Sequence, residues 1–137
     1  MKVFLYTVAL SAAMVCSSVH AQTLEVRANV PFSFRIGEVV MPAGNYRIHE
    51  AQGLLTLAEE RGKKAATRLT TPTSRKAVSS APSLEFRRYG NEFYLEKVWA
   101  GLSRDGQAVI PGKYEKELAA RFRNAETGRV VLEAKSK

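Results

Sequence analysis

Cysteine is almost missing from this chain. Cys16 is the only one in 137 residues, which excludes an internal disulfide framework and a cysteine-ligated zinc site. Aspartate occurs once, as Asp105, and the two histidines, His20 and His49, do not stand at metal-ligand spacing. Nine glycines and five prolines are too few for a collagen-like or low-complexity chain, and a 45% hydrophobic content is too high for wholesale disorder. There is no GxGxxG, no P-loop and no GxSxG, so the common nucleotide-binding and serine-hydrolase signatures are missing. Positive charge, by contrast, is abundant: 21 Lys and Arg against 13 Asp and Glu give +8 and a pI near 9.9. The length suits one domain.

Residues 1–21 read as an export signal. Lys2 supplies the positive start, Val3 to Val15 an apolar stretch broken by Thr7 and Ser11, and Val19-His20-Ala21 the small residues of a cleavage site after Ala21. The stretch is shorter than the ~20 residues of a membrane span and no second one follows, so no transmembrane span is expected after cleavage. Ala13-Met14-Val15 before Cys16 lacks the pattern of a lipidation site. The expected product is a secreted or periplasmic single domain, 22–137, with no cysteine, one histidine (His49) and one positive charge fewer.

From Leu24 to Ile36 the alternation is unbroken. Leu24, Val26, Ala28, Val30, Phe32, Phe34 and Ile36 face one way and polar residues the other, which predicts a long strand bent at Pro31, with that stretch at an edge or a bulge. Gly37, Gly44, Gly53 and Gly62 then punctuate short apolar runs as the turns of a meander, with Met41-Pro42-Ala43-Gly44-Asn45 as one turn and Lys63–Leu69 as a further strand. The segment 70–83 is rich in Ser and Thr with two Pro, and predicts a flexible loop. Arg88-Tyr89-Gly90-Asn91 predicts a hairpin turn, followed by a central strand with Phe93, Leu95 and Trp99 on one face and Tyr94 and Val98 on the other. The stretch from Gly101 to Gly112, with Asp105 in it, reads as a loop. Lys113 to Ala125 switches to helical period, with Tyr114, Leu118, Ala119, Phe122 and Ala125 on one side, and Val130-Val131-Leu132 closes as a strand. An echo links Gly37–Tyr46 with Gly106–Tyr114 through a shared apolar-Pro-Gly-Tyr turn.

The expected fold is therefore mainly β: a small antiparallel β-sandwich or barrel with one C-terminal α-helix. Val30, Phe32, Phe34, Phe86, Phe93, Leu95 and Trp99 form the expected sheet core, and Tyr114, Leu118 and Phe122 the helix contacts.

Val30–Ile48 (VPFSFRIGEVVMPAGNYRI), Phe86–Trp99 (FRRYGNEFYLEKVW) and Lys113–Ala119 (KYEKELA) together resemble a group of small exported bacterial proteins. That group is built on VPFxFxxGxxxxPAGxY followed by a RYGxxYFLxxVW-like hairpin. The Tyr-Phe order usual there stands here as Phe93-Tyr94. The resemblance implies an exported β-rich domain and brings no catalytic residues with it.

The residues themselves point to no catalyst, cofactor or metal. His49 falls on the face opposite Tyr46 and Ile48, and Glu59-Glu60 reads as a charged hairpin tip rather than the carboxylate pair of a glycosidase. Four basic groups stand out: Arg61/Lys63/Lys64, Arg75/Lys76, Arg87/Arg88 and Arg121/Arg123. Export argues against genomic nucleic acid; an anionic envelope polymer or another protein is the expected partner. Lipid headgroups and extracellular nucleic acid fit the same electrostatics, and a basic surface that serves solubility alone is the alternative. Arg87, Arg88 and Tyr89, cations beside an aromatic ring at a hairpin tip, are the candidate anionic-ligand contacts. The expected function is a noncatalytic envelope or extracellular binding protein. The alternatives are an assembly subunit pairing through the edge strand 24–36, and an enzyme using Glu59 and Glu60.

Overall fold

The structure is a computed structural model that describes residues 23–79, 81–122 and 127–136. The proposed export signal lies outside the described residues. Among the described residues eleven strands and one short helix follow one another: β1 (Leu24–Val30), β2 (Phe34–Ile36), β3 (Val39–Met41), β4 (Gly44–Ala51), β5 (Leu54–Glu59), β6 (Ala65–Ser79), β7 (Ser83–Tyr89), β8 (Glu92–Trp99), β9 (Ser103–Val109), α1 (Lys113–Arg121), β10 (Thr127–Glu133) and β11 (Lys135–Ser136). Among the described residues no helix is long and apolar enough to cross a membrane.

Hydrogen bonding runs β10-β7-β8-β9-β6-β5-β4-β1-β11, and the ladder does not close. The result is a sandwich-like fold rather than a barrel. Two segments make its corners, β6 and the run from β10 into β11. The first half of β6 (Ala65 to Leu69) pairs with β5, while its second half pairs with β9. The chain 127–136 likewise pairs with β7 before Ala134 and with β1 after it. Strands that pass from one sheet to the other in this way set the two faces against each other.

Alternation explains the filling. Val26, Ala28, Val30, Phe34 and Ile36 are buried as their period of two requires, and with Met41, Tyr46, Ile48, Leu55, Leu57, Leu84, Phe86, Leu95 and Val98 they form one core between the sheets. Phe32 stacks on Phe93 at 4.1 Å between ring centres and meets Phe86 edge-on, linking the bend after Pro31 to the β7–β8 hairpin. The chain does break at Pro31, into β1 and β2. It is not a free edge, however: β1 lies between β4 and β11, and β2 between β3 and β8. The turns follow their residues. Gln52 and Gly53 both take positive φ (54° and 80°) in the β4–β5 hairpin, and Gly90 takes 61° in the β7–β8 hairpin. In the Pro42 turn the buried Tyr46 hydroxyl donates to the Pro42 carbonyl.

Four expectations are corrected. Residues 70–79 are strand, not flexible loop. Their polarity reflects a half-strand that pairs on one side and keeps most side chains wet, a setting that tolerates Pro72 and suits β-branched Thr. The stretch after Gly101 contains β9, with Asp105 and Gly106 inside it. Gly106 is there because of close approach: a Cβ would lie 2.4 Å from Trp99 Cε3 and 2.8 Å from the Val98 carbonyl oxygen. The helix is shorter than expected and turned. Glu115 and Leu118 are its buried residues, while Tyr114 is 40% exposed, beneath the Arg35 guanidinium. Trp99, finally, is buried (6% exposed) as expected but does not join the core between the sheets. The β7–β8 register shifts after Glu85↔Lys97 to Phe86↔Leu95, so Glu96 is an extra residue, and beyond it Val98 faces the core and Trp99 the outer surface. The Gly37–Tyr46 echo also parts company with its copy, since Tyr46 is buried in a strand and Tyr114 exposed on a helix.

Candidate functional site: a basic trough beside Trp99

The outer face of the sheet formed by β10, β7, β8, β9 and the second half of β6 is only partly covered. Helix α1 covers one end, where Leu118 and Phe122 pack on Tyr89 and Tyr94. The other end is open. There a hollow of about 350 Å³ is lined by Ser74 and Arg75 of β6, Ser83 and Glu85 of β7, Lys97 and Trp99 of β8, and Arg129 and Val131 of β10.

Its floor is built around the tryptophan. Trp99 lies over Gly106, its cross-strand partner, and its Nε1 donates to Glu85 Oε2 at 2.9 Å. Arg75 Cζ stands 5.0 Å and Lys97 Nζ 5.8 Å from the ring centre. Arg75 Nη2 also donates to the carbonyls of Ala100 and Ser103 at 3.0 and 3.1 Å, while its Nε is buried without a hydrogen-bond partner among the described residues. Glu85, 7% exposed, accepts from Trp99 on one oxygen and pairs with Arg129 Nε at 2.6 Å on the other. Arg75, Lys97 and Arg129 thus surround a single carboxylate, leaving an excess of two positive charges in a concave surface. Val131, 58% exposed, adds an apolar wall. Such a surface can hold anionic groups and exclude cations.

The residues singled out in the sequence are not brought together. Tyr89 is buried under the helix, its ring 5.6 Å from that of Tyr94, and is not presented for stacking. Burial, and then the carboxylate of Glu115, raise its phenol above the ordinary range. Arg87, on the same face, pairs with Glu96 at 3.1 Å, and that hydrogen bond raises its pKa further. Arg88 points to the other face and is exposed, its guanidinium beside Gly128. The other basic groups are scattered. Arg61, Lys63 and Lys64 lie exposed in the β5–β6 turn, Lys76 and Arg121 are exposed, and Arg123 lies outside the described residues. His49 is exposed on β4. Glu59 and Glu60 are a hairpin tip: Glu59 accepts from the Lys64 N–H and Glu60 pairs with Arg27 at 3.5 Å.

A second hollow of similar size lies between Leu24, Glu50 and the segment Asp105–Gln107. Its two carboxylates are already held locally, Glu50 by the Gly53 N–H and Asp105 by the Ser103 hydroxyl. Among the described residues no group of three or more His, Cys, Asp or Glu side chains could hold a metal ion.

Sequence reading found Arg75 but missed its partners. Lys97, Trp99 and Arg129 come from different strands, and their meeting depends on the extra residue at Glu96 and on the β7–β10 pairing. The available signal was Lys97 itself, a charge placed between Leu95 and Trp99 on a face read as apolar. No protein-family model matches this chain, and no curated protein or solved structure matches it either.

Proposed function

We propose that this chain is an exported, noncatalytic binding domain for an anionic polymer of the cell envelope or its surroundings, and that the Trp99 trough is its contact surface. One observation carries the reading: Arg75, Lys97 and Arg129 converge on one concave patch that holds a single carboxylate. The trough is wide open and spans five strands, from β10 across β7, β8 and β9 to β6, which suits a flexible chain of charges better than an enclosed small molecule. The net positive charge, +8 for the full chain and one fewer once Lys2 is removed with the export signal, would draw such a polymer in, and neutralising its charges releases counterions.

The test is retention of the protein on immobilised dextran sulfate across a salt series. Arg75→Gln/Lys97→Gln should lower affinity at least about tenfold and flatten the salt dependence by one to two charges. Arg61→Gln/Lys63→Gln removes the same net charge from the β5–β6 turn and should cost about threefold or less. Equal losses from the two pairs would reduce the effect to net charge and reject the trough as the site.

A further inference from the structure

Helix α1 rests on its sheet through two unlike contacts. Leu118 and Phe122 meet Tyr89 and Tyr94 in an apolar seat. One turn earlier Glu115, only 8% exposed, enters a cavity of about 230 Å³ shared with Arg87, Tyr89, Glu96, Lys97, Val109 and Lys116. A carboxyl group is a poor choice for that seat unless it is paired or neutral. Among the described residues no hydrogen bond or ion pair is dedicated to its carboxylate. Arg87 Nη2 is committed to Glu96 Oε1 at 3.1 Å, and Glu96 Oε2 is buried with no hydrogen-bond partner among the described residues. Arg87 is therefore shared between two acids, with Arg68 as a second cation near Glu115.

The charged and titratable groups around Glu115 come from every neighbour. β7 supplies Arg87 and the Tyr89 phenol, β8 supplies Glu96 and Lys97, β6 supplies Arg68, and the helix itself supplies Lys116. β9 contributes Ala108 and Val109, which do not titrate. Burial first, then the charge of Glu96, push the Glu115 carboxyl up from 4.5 to about 7, with Arg87 and Arg68 pulling the other way.

We propose that α1 is a proton-dependent latch, seated while Glu115 is neutral and loosened when Glu115 becomes charged beside Glu96. The sign follows from proton counting. Between 4.5 and about 7 the released helix leaves Glu115 ionised while the seated one keeps it protonated, so release gives up a proton and rising pH favours it. Below 4.5 both forms are protonated and above 7 both are ionised, so the effect levels off on either side. Within the window the release equilibrium can rise at most tenfold per pH unit.

Amide hydrogen exchange tests this, with rates corrected for their intrinsic pH dependence and followed from pH 4.5 to 8.5. Protection at Leu118 and Phe122 should fall at least about tenfold across the range, while protection in β4 and β5 stays level. Glu115→Gln, a neutral replacement of the same shape, should keep the helix protected at all pH. Glu96→Gln removes the repelling charge and frees Arg87, so the seated Glu115 should ionise at lower pH, and the fall in protection should level off at lower pH and be smaller. Should Glu115→Gln fold poorly, the direction of the Glu96→Gln shift decides the matter. Level protection in the parent, a fall that persists in Glu115→Gln, or an unmoved midpoint in Glu96→Gln would each overturn the latch.

Discussion

Replacing Gly106 by alanine probes the floor of the trough with one methyl group. In the present geometry the new Cβ would stand 2.4 Å from Trp99 Cε3, 2.9 Å from Cζ3 and 2.8 Å from the Val98 carbonyl oxygen. The carbonyl belongs to a paired strand and cannot retreat, so the indole has to move. Forcing a methyl into such a contact costs about 1–3 kcal/mol. Moving the ring also strains or breaks its bond to Glu85, and a hydrogen bond to a charged group contributes about 1.5–3 kcal/mol. A total near 3 kcal/mol is expected, which for a domain of this size lowers the melting temperature by roughly 12 °C. Urea denaturation gives the free energy. Trp99 is the only tryptophan, so its emission reports the ring directly and should shift to the red as the indole leaves its sheltered place. Gly44→Ala is the matched control, because nothing lies within 4 Å of its added Cβ, and it should stay within about 0.5 kcal/mol of the parent. A Gly106→Ala protein with parental emission and stability would refute the account of why glycine stands in β9.

The two arginine–tyrosine neighbours of the β7 tip should behave in opposite ways. Tyr89→Ala empties the seat beneath α1 and should cost about 3–5 kcal/mol in urea denaturation, whereas Arg88→Ala, exposed on the other face, should fall within about 0.5 kcal/mol. Tyr46→Phe keeps the buried ring and leaves the Pro42 carbonyl without its donor. A loss of about 1–2 kcal/mol is expected from the same measurement, and a neutral result would mean that the hydroxyl contributes nothing to the turn.

Much of the fold could be read from the sequence where one physical signal dominated. Leu24 to Ile36 alternates because one side of it meets the core, and Pro31 breaks it because that residue lacks a ladder donor. The Gly90 turn was legible because a tight hairpin needs positive φ. Other parts were hidden by their surroundings. Residues 70–79 and β9 keep much of their surface wet, so strand pairing there rests on the backbone and leaves little hydrophobic trace. The helix face was misread because Glu115 occupies a buried position that apolar periodicity assigns to Tyr114. The trough was the least legible feature, since Arg75, Lys97 and Arg129 stand far apart in the chain and only strand order brings them together.

The displaced Trp99 shows how a single residue decides the layout of the outer face. Strict alternation from Phe93 and Leu95 carries Lys97 inward before it reaches Trp99. An ammonium group buried in that core without a partner costs several kcal/mol, more than a local break in one ladder. Doubling Glu96 against its partner strand removes the conflict at once: Glu96 and Lys97 both face outward, and Val98 takes the inward place with an apolar side chain of moderate size. Two consequences follow from the same step. Glu96 lands in the cavity beneath α1, where its carboxylate meets Arg87 and confronts Glu115. Lys97 lines both that cavity and the trough, and Trp99 is turned out onto Gly106 as the trough's floor. The segment FYLEKVW thus carries the instruction in its own pattern, because a lysine on the apolar phase, followed at once by valine on the polar phase, is what a one-residue shift of register resolves.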